Sequence, residues 1–395
     1  MESGLLWLFL FLALAIGWGL GFYSRLKKKP ENVAYSPPKN IKHRLQLLFD
    51  TYSDDSIDRF MHSLDVTPDT VGIHISIGRH FRSEGEVEKA ILIHQNLMAR
   101  PELSDNASEA VIYELAKDYK AAGLFDRAEA LLEQLQGSKQ FGFKSLKLLL
   151  DIYEHERDWQ NALDKGLAIE LKKHPDIASR VAQYCCEIAE QNLRNNDRYQ
   201  ARQCLKRALS IHHNCVRAYL TLARMDLDHQ EYRSTIFYLK KVAELMPAYT
   251  VLILPMLLDC TIATQSFDRH QAYLDELFKS TRQVPVMMAI FESLMAEGEK
   301  QRAYNFLEAQ IIQTPSLSAL EAMLKPQVDR PEGITSNVLG VITKVIEQVN
   351  KDQTKYQCSQ CGFSGRQLHW MCPSCKSWQM IQPVVEYGKT EYSKA

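Results

Sequence analysis

Ile77-Gly78-Arg79-His80-Phe81-Arg82-Ser83-Glu84-Gly85-Glu86-Val87-Glu88-Lys89-Ala90 decides the fold, because its pattern recurs. Leu115, Ala116, Tyr119, Gly123 and Ala128 repeat its large, small, aromatic, glycine and alanine positions at the same offsets. Each copy reads as two helices joined by a tight turn. Small side chains let the paired helices approach closely, and the aromatic ring fills the gap to the next copy. Glycine at the turn takes the left-handed conformation that other residues avoid. The small residue of the second helix marks each copy, at Ser56, Ala90, Ala128, Ala162, Ala201, Thr235 and Ala303. The gaps are 34, 38, 34, 39, 34 and 68 residues. The last is twice thirty-four, so a degenerate copy is expected around Arg269.

This periodicity matches the tetratricopeptide pattern. No copy can bury its apolar face alone, so copies must stack. The fold class expected is all-α, a tetratricopeptide-repeat superhelical solenoid over residues 40–320. Pro68, Pro101, Pro247 and Pro315 fall near the ends of copies, where proline stops one helix and starts a connection. Arg157 and Gln230 stand at turn positions where glycine is usual. After residue 320 the repeat ends, and Pro326, Pro331 and Gly333 mark the break. An apolar stripe from Val338 to Val349 at helical spacing predicts a connecting helix within residues 321–353.

The sharpest chemistry lies in residues 354–383. Cys358-Ser359-Gln360-Cys361 and Cys372-Pro373-Ser374-Cys375 are two C-x-x-C knuckles, and the spacing is a strong metal signal. Each knuckle supplies two thiolates, and together they make a tetrahedral sulfur cage for one iron or zinc ion. With all four positions taken by protein, no site is left for water or substrate, which points to a structural or docking module. Gly362 follows the first knuckle, whereas Lys376 follows the second, where glycine would fit more easily. So small a module depends on its metal for folding energy. His369 as a fourth ligand is the weaker alternative. The expected fold is rubredoxin-like or zinc-ribbon-like, followed by a polar tail at 384–395.

At the other end, the 22 residues from Ser3 to Ser24 carry no charge. At about 1.5 Å per residue they would cross a hydrocarbon core of about 30 Å. Residues 1–24 therefore read as a transmembrane anchor, with Trp7, Trp18 and Tyr23 toward its ends. Arg25, Lys27, Lys28 and Lys29 follow, which by the positive-inside rule leaves the N-terminus periplasmic and the body cytoplasmic. Ala13, Gly17 and Gly21 recur every fourth residue and offer close packing to another membrane helix. The proline-containing stretch 25–39 is a linker.

A net charge of −1 gives no field for a polyanion, and three basic residues in the metal module do not make a phosphate-binding stripe, so nucleic acid is not expected as a partner. Phosphate-binding, nucleophile-elbow and metalloprotease motifs are absent from the sequence, which argues against an enzyme. Cys185, Cys186, Cys204, Cys215 and Cys260 lack framework spacing and read as small core residues in a reducing compartment.

An anchor, a tetratricopeptide array and a knuckle pair in one chain resemble the lipopolysaccharide assembly protein B family of Gram-negative bacteria. The resemblance rests on Phe81 to Leu97, Asp118 to Glu129, the run from Tyr356 to Phe363, and Trp370 with Cys372, Cys375 and Trp378. It implies an inner-membrane adaptor rather than an enzyme. Such an adaptor promotes degradation of the lipid A-committing deacetylase by a membrane-anchored ATP-dependent zinc protease. An inner-membrane protein that senses lipopolysaccharide restrains it near the membrane span. The alternatives are a general scaffold for lipopolysaccharide enzymes without proteolysis, or an iron–sulfur redox protein.

Overall fold

The structure is a computed structural model that describes residues 70–101, 103–311, 316–328, 342–343, 346 and 354–385. The anchor with Ala13, Gly17 and Gly21, the linker, the first repeat marker Ser56 and most of the connecting segment lie outside the described residues. The chain divides into two compact units, residues 1–152 and 153–395.

The first unit contains α1 (Val71–Ser83), α2 (Val87–Met98), α3 (Asp105–Ala121), α4 (Phe125–Gln134) and most of α5 (Gly142–Glu156). The second contains α6 (Trp159–Leu167), α7 (Pro175–Arg194), α8 (Arg198–Ile211), α9 (Val216–Asp228), α10 (Tyr232–Leu245), α11 (Thr250–Thr264), α12 (Phe267–Thr281), α13 (Val284–Glu297), α14 (Lys300–Ile311) and α15 (Leu317–Val328). Three short strands follow: β1 (Tyr356–Cys358), β2 (Ser364–Gly365) and β3 (Ile381–Pro383).

The repeat rule holds at atomic detail within each unit. Ala90, Ala128, Ala162, Ala201, Thr235 and Ala303 are each the fourth residue of their helix, and each is fully buried. The degenerate copy is the pair α11 and α12. The fourth residue of α12 is His270, one place beyond Arg269, and it is buried where the other copies carry a small residue. Burial, helped by Lys240, holds its imidazole down at about 4, so it sits neutral in the core.

Every turn inside a pair is built alike. Gly85, Gly123, Arg157, Asn196, Gln230, Gln265 and Gly298 all have positive φ. The next N–H reaches back to a carbonyl one turn inside the first helix, as in Glu86 to Phe81 (2.9 Å), Leu124 to Tyr119 (2.8 Å) and Glu231 to Asp226 (2.9 Å). This closes the helix end and reverses the chain. Arg157 and Gln230 do adopt the conformation that glycine favours.

Among the described residues of the first unit, one apolar core lies around Ile77, Phe81 and Ile93 and another around Val71, Ile75, Leu97 and Val111. Gly78 lies beneath the buried His94 ring, and a Cβ there would fall 2.5 Å from it, so only glycine fits. His94 Nδ1 is bonded to Asp118, which also pairs with Arg82. Arg82 and Arg79 both pair with Glu114, at 2.6 and 2.9 Å. Burial alone would raise the Glu114 carboxyl, but Lys117, Arg79 and Arg82 prevail and hold it down at about 2.

In the second unit, Val216, Leu220, Leu239, Val242, Tyr249, Ile253 and Leu257 form one core, and Leu254, Leu274, Ile290 and Leu307 belong to another. Among the described residues one stretch, Pro247–Thr264, is long and apolar enough to cross a membrane. It is the turn before α11 plus α11 itself, and it contributes side chains to both of these cores. Cys185, Cys186, Cys215 and Cys260 are buried and Cys204 is partly so, in keeping with small core residues.

Candidate metal centre

The module is a three-stranded antiparallel sheet in the order β2-β1-β3. Both knuckles fold by the same local rule. Gly362 N donates to Cys358 O and Lys376 N to Cys372 O, each at 2.9 Å. Gly362 has φ 75° and Lys376 φ 59°, so the lysine takes the glycine conformation at some cost. Cys372 N also donates to Ser377 O at 2.9 Å, and Cys358 N to Phe363 O at 2.8 Å.

These turns bring the four sulfurs together. Cys358, Cys361, Cys372 and Cys375 have their Sγ atoms within 4.8 Å of one another. The contacts cross between knuckles, with Cys358 3.8 Å from Cys375 and Cys361 3.7 Å from Cys372. A tetrahedral ion with metal–sulfur bonds of about 2.3 Å requires sulfurs about 3.8 Å apart. The cage therefore fits one ion of zinc or iron size, held by four thiolates. Among the described residues this is the one group of histidine, cysteine and carboxylate side chains that could hold a metal, and His369 is not in it. A closed sulfur cage gives the ion a structural task, tying two loops that have little apolar core of their own.

The ligands differ in surroundings. Cys358 and Cys372 are buried, Cys375 is half-buried and Cys361 is exposed. The Ser377 hydroxyl, 3.5 Å from Cys375 Sγ, and the Ser377 N–H draw the Cys375 thiol down to about 6. These contacts favour the thiolate form that a metal ligand needs. Burial pushes Cys372 up to about 11, and an ion held there would favour loss of its proton.

The module does not stand free of the second unit. Trp378 Nε1 donates to Glu154 Oε1 at 2.9 Å, and the same oxygen accepts from Tyr184 (2.6 Å) and Arg180 (3.0 Å). The Trp378 ring meets Trp159 and Tyr184 edge-on, with centroids 6.0 and 6.3 Å away. On the other side Trp370 lies parallel to Tyr249, while the Arg217 guanidinium sits 5.8 Å from its ring. Tyr249 also donates to Ile381 O at 2.6 Å. Arg217 is itself buried between Glu187 (2.8 Å) and Glu190 (2.7 Å). The two tryptophans that flank the second knuckle in sequence are thus the two anchors of the seat. Their partners, Glu154, Tyr184, Arg217 and Tyr249, carry no motif, because they are scattered over 96 residues and meet only in the fold.

Residues 356–383 match the family model of the rubredoxin metal binding domain. Lipopolysaccharide assembly protein B of Escherichia coli (strain K12) is 28% identical over 381 residues, covering 96% of this chain and 98% of that protein. The protein of the same name from Haemophilus influenzae is 28% identical over 389 residues, with the same coverage of both chains. Among solved structures, a tetratricopeptide repeat protein from Parabacteroides merdae matches 71% of this chain and 99% of its own at 14% identity, with a TM-score of 0.32. Along nearly its whole length, this chain resembles the proteins named lipopolysaccharide assembly protein B, and residues 356–383 carry its rubredoxin-type metal module.

Proposed function

We propose that this protein is a non-enzymatic adaptor of the inner membrane that regulates lipopolysaccharide synthesis. It holds the lipid A-committing deacetylase and presents it to a membrane-anchored ATP-dependent zinc protease. An inner-membrane protein that senses lipopolysaccharide restrains it, through contacts that include the Ala13, Gly17 and Gly21 face of the anchor. The body lies in the cytoplasm and the N-terminus in the periplasm.

The observation that carries this reading is the end-to-end similarity to proteins named for lipopolysaccharide assembly. Physical features support the mechanism. Paired helices present extended side-chain surfaces suited to folded or peptide partners. The sulfur cage has no open coordination position and so offers no reaction centre. An anchor raises the local concentration of a client beside a membrane protease without any new contact.

A pull-down from detergent-solubilised membranes tests it. The full chain is expected to recover both deacetylase and protease, and a chain lacking residues 1–24 is expected to lose the protease. Recovery of neither by the full chain would contradict the adaptor reading.

A further inference from the structure

Beneath the metal module lies a second pair of sulfurs. Cys186 on α7 and Cys215, which directly precedes α9, are both fully buried, with Sγ atoms 3.7 Å apart. The two thiols are not equivalent. The contact with Cys186 and the N–H groups of Ala218 and Arg217 at the start of α9 draw the Cys215 thiol down despite burial. Its contact with Cys215 and then burial push the Cys186 thiol well up. One sulfur is thus favoured as thiolate and the other as thiol, at contact distance, with the Arg217 guanidinium close by.

The metal module reaches this pair through Gln183 of α7 and through Asn214. Gln183 Nε2 faces Cys215 Sγ at 3.5 Å and donates to Gln379 Oε1 at 3.1 Å. Gln379 Nε2 in turn donates to Asn214 O, beside Cys215, at 3.3 Å. The roof is polar, and the buried Gln183 Oε1 has no hydrogen-bond partner among the described residues. Such a roof gives up little on opening to water, unlike an apolar core. Cys260 offers the contrast of a buried core cysteine. Burial first and Asp259 second push its thiol up to about 11.

We propose that Cys186 and Cys215 are an oxidisable dithiol, covered by the metal module through Gln379, which closes to a disulfide with hydrogen peroxide when the module lets go. The Cys215 thiolate attacks the peroxide. An S–O bond forms, the O–O bond breaks, and the departing hydroxide takes up a proton to leave as water. Cys186 sulfur then attacks the sulfenic acid. The S–S bond forms, the S–O bond breaks, and the Cys186 proton leaves with the second water. Two thiols are oxidised, one peroxide is reduced, and the start of α9 becomes tied to α7. The bond would record metal loss in the array and outlast it.

The test uses the full chain loaded with metal, in detergent, with peptide mass spectrometry after peroxide treatment and thiol alkylation. In the loaded chain Cys186 and Cys215 are expected to stay reduced and slow to alkylate. After chelation, peroxide is expected to yield the Cys186–Cys215 disulfide while Cys260 stays protected. Gln379→Gly opens the roof without touching a metal ligand, and it preserves the turn because Gln379 already has φ 57°. This variant, with its metal retained, is expected to form the disulfide at least tenfold faster than the native chain. The proposal is overturned if Gln379→Gly oxidises no faster, or if the chelated chain gives only unpaired or differently paired products. It is also overturned if Cys260 becomes labelled in step with the pair, since that means the array has melted.

Discussion

Arg157 and Gln230 hold backbone conformations that a side chain makes costly, with φ near 60° at exposed turn positions. The left-handed region costs a non-glycine residue about 1–2 kcal/mol, partly offset by the chain entropy that glycine gives up on folding. Arg157→Gly and Gln230→Gly are each expected to stabilise the protein by about 0.5–1 kcal/mol, read as a higher urea midpoint. A lower midpoint for both would mean that their side chains do more than endure the turn. Glu114 carries the clearest dependence on pH. Its folded pKa is depressed to about 2, below the ordinary carboxylate value, so its stabilising effect is present at neutral pH and is lost as pH falls from about 5 toward 2. Because the side chain is almost wholly buried, the effect is on the order of 2–4 kcal/mol. Glu114→Gln should lower the urea midpoint at pH 7, and the gap to the native protein should narrow by pH 3.5. A gap independent of pH would show that the charge is not what matters.

At the scale of elements, the metal module has three strands of two or three residues and cannot close on apolar burial alone. Its ion and its seat on the second unit share that task. Chelation is expected to shift tryptophan emission to longer wavelength as the buried Trp378 leaves Trp159 and Tyr184, and added zinc should reverse it. An unchanged spectrum after proven metal loss would mean that the seat holds without the ion. The sequence made the knuckles legible because four ligands from two tight turns must be close in the chain, and it made the repeat legible because each pair needs the same small residue. What it hid follows the same logic. His270 was invisible as a repeat marker because a large polar residue replaced the small one. Glu154, Gln183, Asn214 and Tyr249 serve the seat from separate helices and turns, and only folding brings them to one place. The Cys186–Cys215 contact spans 29 residues and two repeats, so spacing alone gives no hint of it.

At the scale of the molecule, the described residues of each unit are helices packed on apolar cores, and the second unit also carries the metal module. Among the described residues the sulfur cage leaves no open coordination position for a substrate. The proposed function is one of bringing proteins together, with the lipid A-committing deacetylase as the proposed client. The direct measurement is the half-life of that deacetylase in cells, after protein synthesis is stopped, with and without this chain. Loss of the chain is expected to lengthen the half-life several-fold, and its return should restore rapid turnover. An unchanged half-life, with lipopolysaccharide enzymes still gathered on the chain, would leave a scaffold without proteolysis and contradict the adaptor function.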